Sequence, residues 1–300
     1  MQNDKLKNYL HLHLLVFIAG FTAILGELIS ISSVSLVWYR MFMATIIMVG
    51  FIFITKVKIR IPLKSIGKLA LAGIIIALHW ITFFESINVA NISITLAMFS
   101  SGAFFASLLE PLIYKRKIIW YEMLFGILII IGVVIITNSE FKYLYGIVLG
   151  IISAFLSSTF AVLNGKFLEQ HTATVISFYE FVSGVLFISL FMYFFGDGFS
   201  ESFFTLSLSD FIYLFILASV CTAYAFIASV YVMRYISPYT VVLTYNLEPV
   251  YGIVLALILF PEKEIMSSSF YIGAAIIISV VMINGVIKNL KKQKNKLHQE

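Results

Sequence analysis

Apolar residues run along this chain in long blocks, broken by short clusters of Lys, Ser, Asn and Gly. The blocks of the first half read as Leu14–Ile31, Val34–Thr55, Leu69–Ile87, Ile92–Tyr114 and Ile118–Thr137. Those of the second half read as Leu144–Leu163, Ala173–Phe195, Phe211–Met233, Tyr239–Phe260 and Phe270–Ile287. Each is close to the ~20 residues a helix needs to cross ~30 Å of hydrocarbon. Barrel strands are much shorter, so these runs are read as helices. An odd number of spans per half turns the second half upside down in the bilayer. The pattern therefore predicts an all-α membrane protein of ten transmembrane helices, arranged as two inverted five-helix repeats. One membrane domain occupies 1–300, with the first repeat at 10–138, the second at 144–288 and a basic cytoplasmic tail at 289–300.

Composition fits that reading. The 300 residues are 61% hydrophobic and 12% charged, with mean hydropathy +1.02. A soluble domain carries roughly 25% charged residues. The first block follows Lys5 and Lys7, as a signal peptide would. It is nevertheless long, lacks an A-x-A-like site and completes its half, so it is read as a retained span. Cys221 is the one cysteine, which rules out a disulfide framework or a cysteine metal cluster.

Charge adds orientation. With both termini on one side, every Lys and Arg except Arg40, Lys142 and Lys263 falls on that side. The positive-inside rule makes that side the cytoplasm. The net charge of +5 then reflects topology, not a nucleic-acid partner, and the basic tail anchors to an anionic leaflet. The expected location is a bacterial cytoplasmic (inner) membrane, with both termini cytoplasmic.

The chain also carries an internal repeat. A shift of 147 residues lays Ile87–Ile118 on Arg234–Ile265 and Gly126 on Gly273. It sets Ser101–Gly102 opposite Glu248–Pro249. A shift of 140 lays Trp38–Ala44 on Phe178–Gly184, with Arg40 on Glu180. Folds built from inverted repeats are mostly transporters, with the site where the halves meet.

These features resemble the drug/metabolite transporter superfamily, EamA family, over nearly the whole chain. The resemblance rests on "VFIAGFTAIL" in the first span, Arg40 in the second and "FSSGAFFASLL" in the fourth. It rests also on "NLEPVYGIVLALILFPEKEI" in the ninth and on closing helices that begin near Gly126 and Gly273. The family's two mid-helix prolines are represented here by Pro249 alone, with Gly102 in the other place. The family's Gly-Glu pairs are replaced by "FPE" and "KRK". The resemblance implies a central cavity lined by helices one, three, four, six, eight and nine, and export of small metabolites.

Glu248 is the leading candidate for chemistry. It sits near the middle of its span, where an ionisable side chain is costly unless it faces a cavity or a partner. Pro249 removes a helical donor beside it and frees a carbonyl. Ser101 and Gly102 opposite leave space. Three readings of Glu248 stand: it binds a cationic or amino group of a substrate, it is a proton-coupling carboxyl, or it is a protonated acid bonded to a neighbouring helix. Arg40 is expected near the outer face with Glu27 or Glu85. Glu180 is expected near the inner face with Lys166 or Arg234. Such pairs read either as gates or as static anchors.

His79, Trp80, Tyr224, Tyr231, Tyr245, Ser153 and Ser157 are candidate lining residues, with packing the competing role for the histidine and the tyrosines. Gly146, Gly150, Ala154 and Ser158 form a row for close helix packing. Glu110 and Glu122 read as solvated partners of Lys115–Lys117, and Cys221 as a buried small hydrophobe. No metal spacing, nucleotide loop or hydrolase motif is present, and neither a cofactor nor an enzyme is expected. With no ATP site, uphill movement must draw on a gradient. The reading is a secondary transporter, an exporter of amino acids, amines or similar metabolites by alternating access, with protons as a coupling ion. A passive facilitator or exchanger is the alternative. A lipid scramblase or a membrane enzyme stands further off.

Overall fold

The computed structural model describes residues 2–297 except 116, 118, 197, 233–234, 236–243 and 246. All regular structure among them is helical. The first half contains α1 (Gln2–Leu28), α2 (Ser33–Thr55), α3 (Leu63–Val89), α4 (Ile92–Phe99), α5 (Gly102–Tyr114) and α6 (Trp120–Ser139). The second contains α7 (Leu144–Phe167), α8 (Ala173–Phe195), the short α9 (Glu201–Phe204) and α10 (Leu208–Ala218). A π-helical stretch, Ser219–Tyr224, joins α10 to α11 (Ala225–Val232). Then come α12 (Glu248–Leu259), the short α13 (Pro261–Glu264) and α14 (Ser268–Leu297).

Nine segments among the described residues are long and apolar enough to cross a membrane, counting α4–α5 and α10–α11 as one span each. The tenth expected span is represented by α12, a shorter apolar helix of 12 residues. Residues 239–243 of that span and the expected basic residue Arg234 lie outside the described residues.

Side-chain caps set several helix starts. Ser32 accepts from Ser35 N, Asn91 from Ile94 N and Ser207 from Asp210 N. Each satisfies a donor the first helical turn leaves free, worth ~1 kcal/mol. Pro249 sits in the first turn of α12, where its missing N–H costs nothing and its fixed φ suits the helix. It therefore begins a helix rather than kinking one.

Two spans are broken at positions that the 147-residue repeat makes equivalent. The fourth changes from α4 to α5 through a turn at Ser100–Ser101. In the ninth, Thr244 and Tyr245 are helical, Leu247 is a turn and α12 starts at Glu248.

The helices meet through small residues, as they must where lipid gives no hydrophobic drive between them. On α7, Gly146 faces Ala90 and Ser86, Gly150 faces Met98, and Ser158 Oγ donates to Gly102 O at 2.7 Å. A Cβ on Gly20 of α1 would come within 3.0 Å of Gly252 N and 3.1 Å of Glu248 O. A Cβ on Gly73 of α3 would collide with the backbone of Glu180 in α8. Gly132 and Gly273 put α6 against α14, away from the centre.

Helix ends tie the molecule together at the far end, where α1, α3, α6 and α12 finish. Lys263 Nζ pairs with Glu27 Oε1 at 2.6 Å. Asn91 Nδ2 donates to Lys263 O at 3.1 Å. Glu264 accepts from Ile92 N (3.0 Å) and Ser93 N (2.9 Å), capping α4 from the other half of the chain. Asp210 accepts from the N–H and hydroxyl of Ser30, both at 2.8 Å. Glu140 accepts from Ser267 N at 2.9 Å.

Candidate functional site

A cavity of about 390 Å³ lies among α1, α2, α3, the end of α4, α7, α8, the π-helical stretch, α11 and the start of α12. It reaches Leu168 at the end of α7 and Ala173 at the start of α8, so it extends toward the near end, away from the far-end ties. Its surface is mostly apolar, with Phe83, Phe99, Phe160 and Phe226 among its walls.

Glu248 lines this cavity. The helix break carries it there, because α12 starts at Glu248 and the Gly20–Gly252 approach holds that first turn against α1. His79, Trp80, Tyr245 and Ser157 line it as well. His79 is buried, and its ring stacks on Phe99 with centroids 5.5 Å apart. Its Nδ1 lies 2.8 Å from Ser153 Oγ and 3.1 Å from Ser153 O. Ser153 Oγ in turn donates to His79 O at 3.2 Å, so the two side chains are tied to each other twice. Tyr245 Oη shares a hydrogen bond of 2.7 Å with Ser229 Oγ.

Arg40 is the correction with the largest consequence. Expected at an outer gate with Glu27 or Glu85, it lies 4% exposed on the cavity wall. Its Nε donates to Thr222 Oγ1 at 2.9 Å, and its guanidinium stacks over Trp80 at 3.9 Å. Nη1 is buried with no partner. Arg40 and Glu248 face the same space and act on each other electrostatically. The two acids expected to hold Arg40 are occupied elsewhere. Glu27 takes Lys263, and Glu85 Oε2 accepts from Ser33 Oγ at 2.7 Å. Both sit at the ends of long helices, about a turn too far along to reach a guanidinium seven residues inside α2.

The π-helical stretch explains both that bond and the misplacement of Tyr224. One extra residue in a turn slips the helix phase, and such turns often sit at functional sites. Thr222 Oγ1 donates to Leu217 O, five residues back, at 2.8 Å, and is left to accept from Arg40. Cys221, Ala225 and Ser229 then face the cavity. Tyr224 is turned outward, 42% exposed, and bonds His11 Nε2 at 2.7 Å. Tyr231 is also exposed.

Ser101, Gly102 and Pro249 do not line the cavity. Ser101 and Pro249 are buried, and Gly102 is closed off by Ser158, because both helix breaks pack against neighbouring helices. Glu180 is fully buried and bonds neither Lys166 nor any other cation among the described residues. Asn164 Nδ2 donates to its Oε2 at 3.3 Å instead. Lys166 points at Ile113 O, 3.4 Å away. Glu122 is buried at the base of α6 rather than solvated.

The pattern reading missed Asn164 and Ser177, which line the cavity. Asn164 extends the helical stripe Ser157, Phe160, Ala161, Leu168 on α7, and Ser177 extends Ala173, Ile176 on α8. Spacings of three and four from Ser157 were the available signal. No cluster of His, Cys, Asp and Glu that could hold a metal occurs among the described residues.

Apolar spans around a buried cavity with charged walls define a multi-pass membrane protein with an internal binding site. The profile of the EamA-like transporter family matches residues 6–138 and again residues 144–285. The chain belongs to that family, whose members are membrane transporters of small molecules. No curated protein matches it. Seventeen solved chains do. One, described as "Crystal structure of protein", is 13% identical with a TM-score of 0.63 and covers 93% of this chain and 97% of that one. At that identity the likeness is one of fold.

Proposed function

We propose that this protein is a secondary transporter that exports small metabolites, amino acids or amines, across the bacterial cytoplasmic membrane by alternating access. The carrying observation is the one-sided cavity. Glu248 and Arg40 face it, the far end is tied by Lys263–Glu27 and its neighbouring hydrogen bonds, and the lining runs to Leu168 and Ala173 at the near ends of α7 and α8. In this reading the near end is cytoplasmic and the cavity is caught facing inward. Ten spans form two inverted halves, and the paired breaks at Ser101 and Glu248 mark their shared axis. The repeat match and the basic residues gathered beside both termini support that arrangement.

Glu248 serves as the coupling carboxyl, taking a proton from outside as substrate leaves. Low dielectric around a charged side chain makes its protonation state sensitive to what stands beside it. Purified protein in liposomes with a pH gradient tests this. Wild type concentrates a labelled amino acid or amine against its gradient, and Glu248→Gln retains at most downhill exchange. Gradient-driven flux that survives unchanged in Glu248→Gln would favour a passive facilitator or exchanger.

A further inference from the structure

Three buried polar atoms on neighbouring side chains have no hydrogen-bond partner: Asn164 Oδ1, Ser177 Oγ and Glu180 Oε1. Such orphans are uncommon in folded proteins, and each calls for an explanation. Ser177 and Glu180 are three apart on α8 and therefore share a face. Asn164 on α7 bonds the other carboxylate oxygen of Glu180. Asn164 and Ser177 are part of the cavity wall, and Glu180 lies one hydrogen bond behind them. All three orphans can accept hydrogen bonds, and the Asn164 oxygen can do nothing else.

The charges point the same way. Arg40 and Glu248 carry opposite formal charges on the same cavity. Glu180 has no counter-charge among the described residues, and only the Asn164 amide supports it. An ionised Glu180 would need a positive charge and N–H donors at this one place. Four phenylalanines, Phe83, Phe99, Phe160 and Phe226, supply much of the apolar remainder of the wall.

We propose that Asn164, Ser177 and Glu180 form a subsite for a primary ammonium group, so that the preferred ligand is a monocationic amine with an apolar body. This deepens the transporter reading and rests on it. An ammonium brings three donors to three acceptors and gives Glu180 its counter-ion. Rotation of the Asn164 amide opens the carboxyl to the cavity. The apolar body lies against Phe83, Phe99, Phe160 and Phe226, whose faces also favour a cation. An amino acid adds a carboxylate, which the three acceptors repel and for which the unpartnered Nη1 of Arg40 is the available donor.

The test uses three probes on the purified full-length protein: 2-phenylethylamine, its N,N,N-trimethyl analogue and phenylalanine. The analogue keeps the charge and loses every N–H. Binding is read by thermal shift and titration, and flux by counterflow in liposomes. The primary amine is expected to bind at least tenfold more tightly than either other probe. Glu180→Gln is expected to lose at least tenfold in amine affinity and to narrow the preference over phenylalanine. Ser177→Ala repeats the measurement should Glu180→Gln not fold, and the three-probe comparison on wild type needs no variant. Equal affinity for the trimethyl analogue, an unchanged preference in the variants, or no binding of any probe overturns the subsite. Flux of phenylalanine without amine preference removes the subsite and leaves the transporter. Amine binding without flux of any probe upholds the subsite and removes the transporter.

Discussion

Single side chains in this protein are decided by what the membrane interior withholds. Arg40 is buried and still finds Thr222, Trp80 and the field of Glu248, because an isolated buried charge would cost several kcal/mol. Removing its acceptor should therefore tell. Thr222→Val keeps the shape and leaves Nε unpaired, which costs ~1–3 kcal/mol. The unfolding temperature in detergent should drop by several degrees, and Ser219→Ala, on the exposed side of the same stretch, should leave it unchanged. Glycines separate just as sharply. Gly73→Ala drives a methyl into the Glu180 backbone and should cost about 1–3 kcal/mol by overpacking. Gly67→Ala, on the same helix with nothing within 4 Å, should be neutral or gain up to ~1 kcal/mol. Thermal unfolding of the two variants side by side checks both signs.

Elements were legible to unequal degrees. Helix positions could be read from hydropathy, since a bilayer allows an apolar run of that length little else. The break after Phe99 could not, because "FSSGAF" carries no proline and its turn is set by packing of Gly102 on Ser158. The π-helical stretch could not either, and it rotated Tyr224 out of the site the α-period gave it. Glu248, His79, Trp80, Tyr245 and Ser157 stood out because polar or aromatic side chains at mid-span are conspicuous. Asn164 and Ser177 lie nearer helix ends, where polar residues are ordinary. The gating partners failed for a different reason, since pairing across helices depends on azimuth as well as depth.

The far-end ties belong to this scale too. Glu27 holds the Lys263 ammonium above its ordinary value, so the pair stays charged until the pH rises through that raised value. Lys263 is 67% exposed, so the pair is worth no more than ~1 kcal/mol. A contact that weak suits a latch. In sealed vesicles, Cys221 on the cavity wall should react with an impermeant maleimide from the near end only. In Lys263→Ala it should also react from the far end. Labelling from one side in both proteins would remove Lys263 from the gate.

At the scale of the whole molecule, sidedness is open to measurement. A fluorescent protein fused after the C-terminus should glow in bacteria, as a cytoplasmic terminus requires. Alkaline phosphatase fused after Gly198, in the loop between α8 and α9, should be active, as an outer loop requires. The reverse pattern would invert the proposed direction of transport.

The two broken spans carry a last implication. Both repeats are interrupted at equivalent positions, but only one bears an acid there, Glu248, while its counterpart is the neutral Ser101. A chain with two matching repeats thus holds an ionisable group in one of them that the other lacks. If Glu248 is the coupling carboxyl, as proposed, that single group carries at most one proton per turnover. The net direction of transport through such a site is set by the gradients on its two sides and not by the asymmetry of the protein.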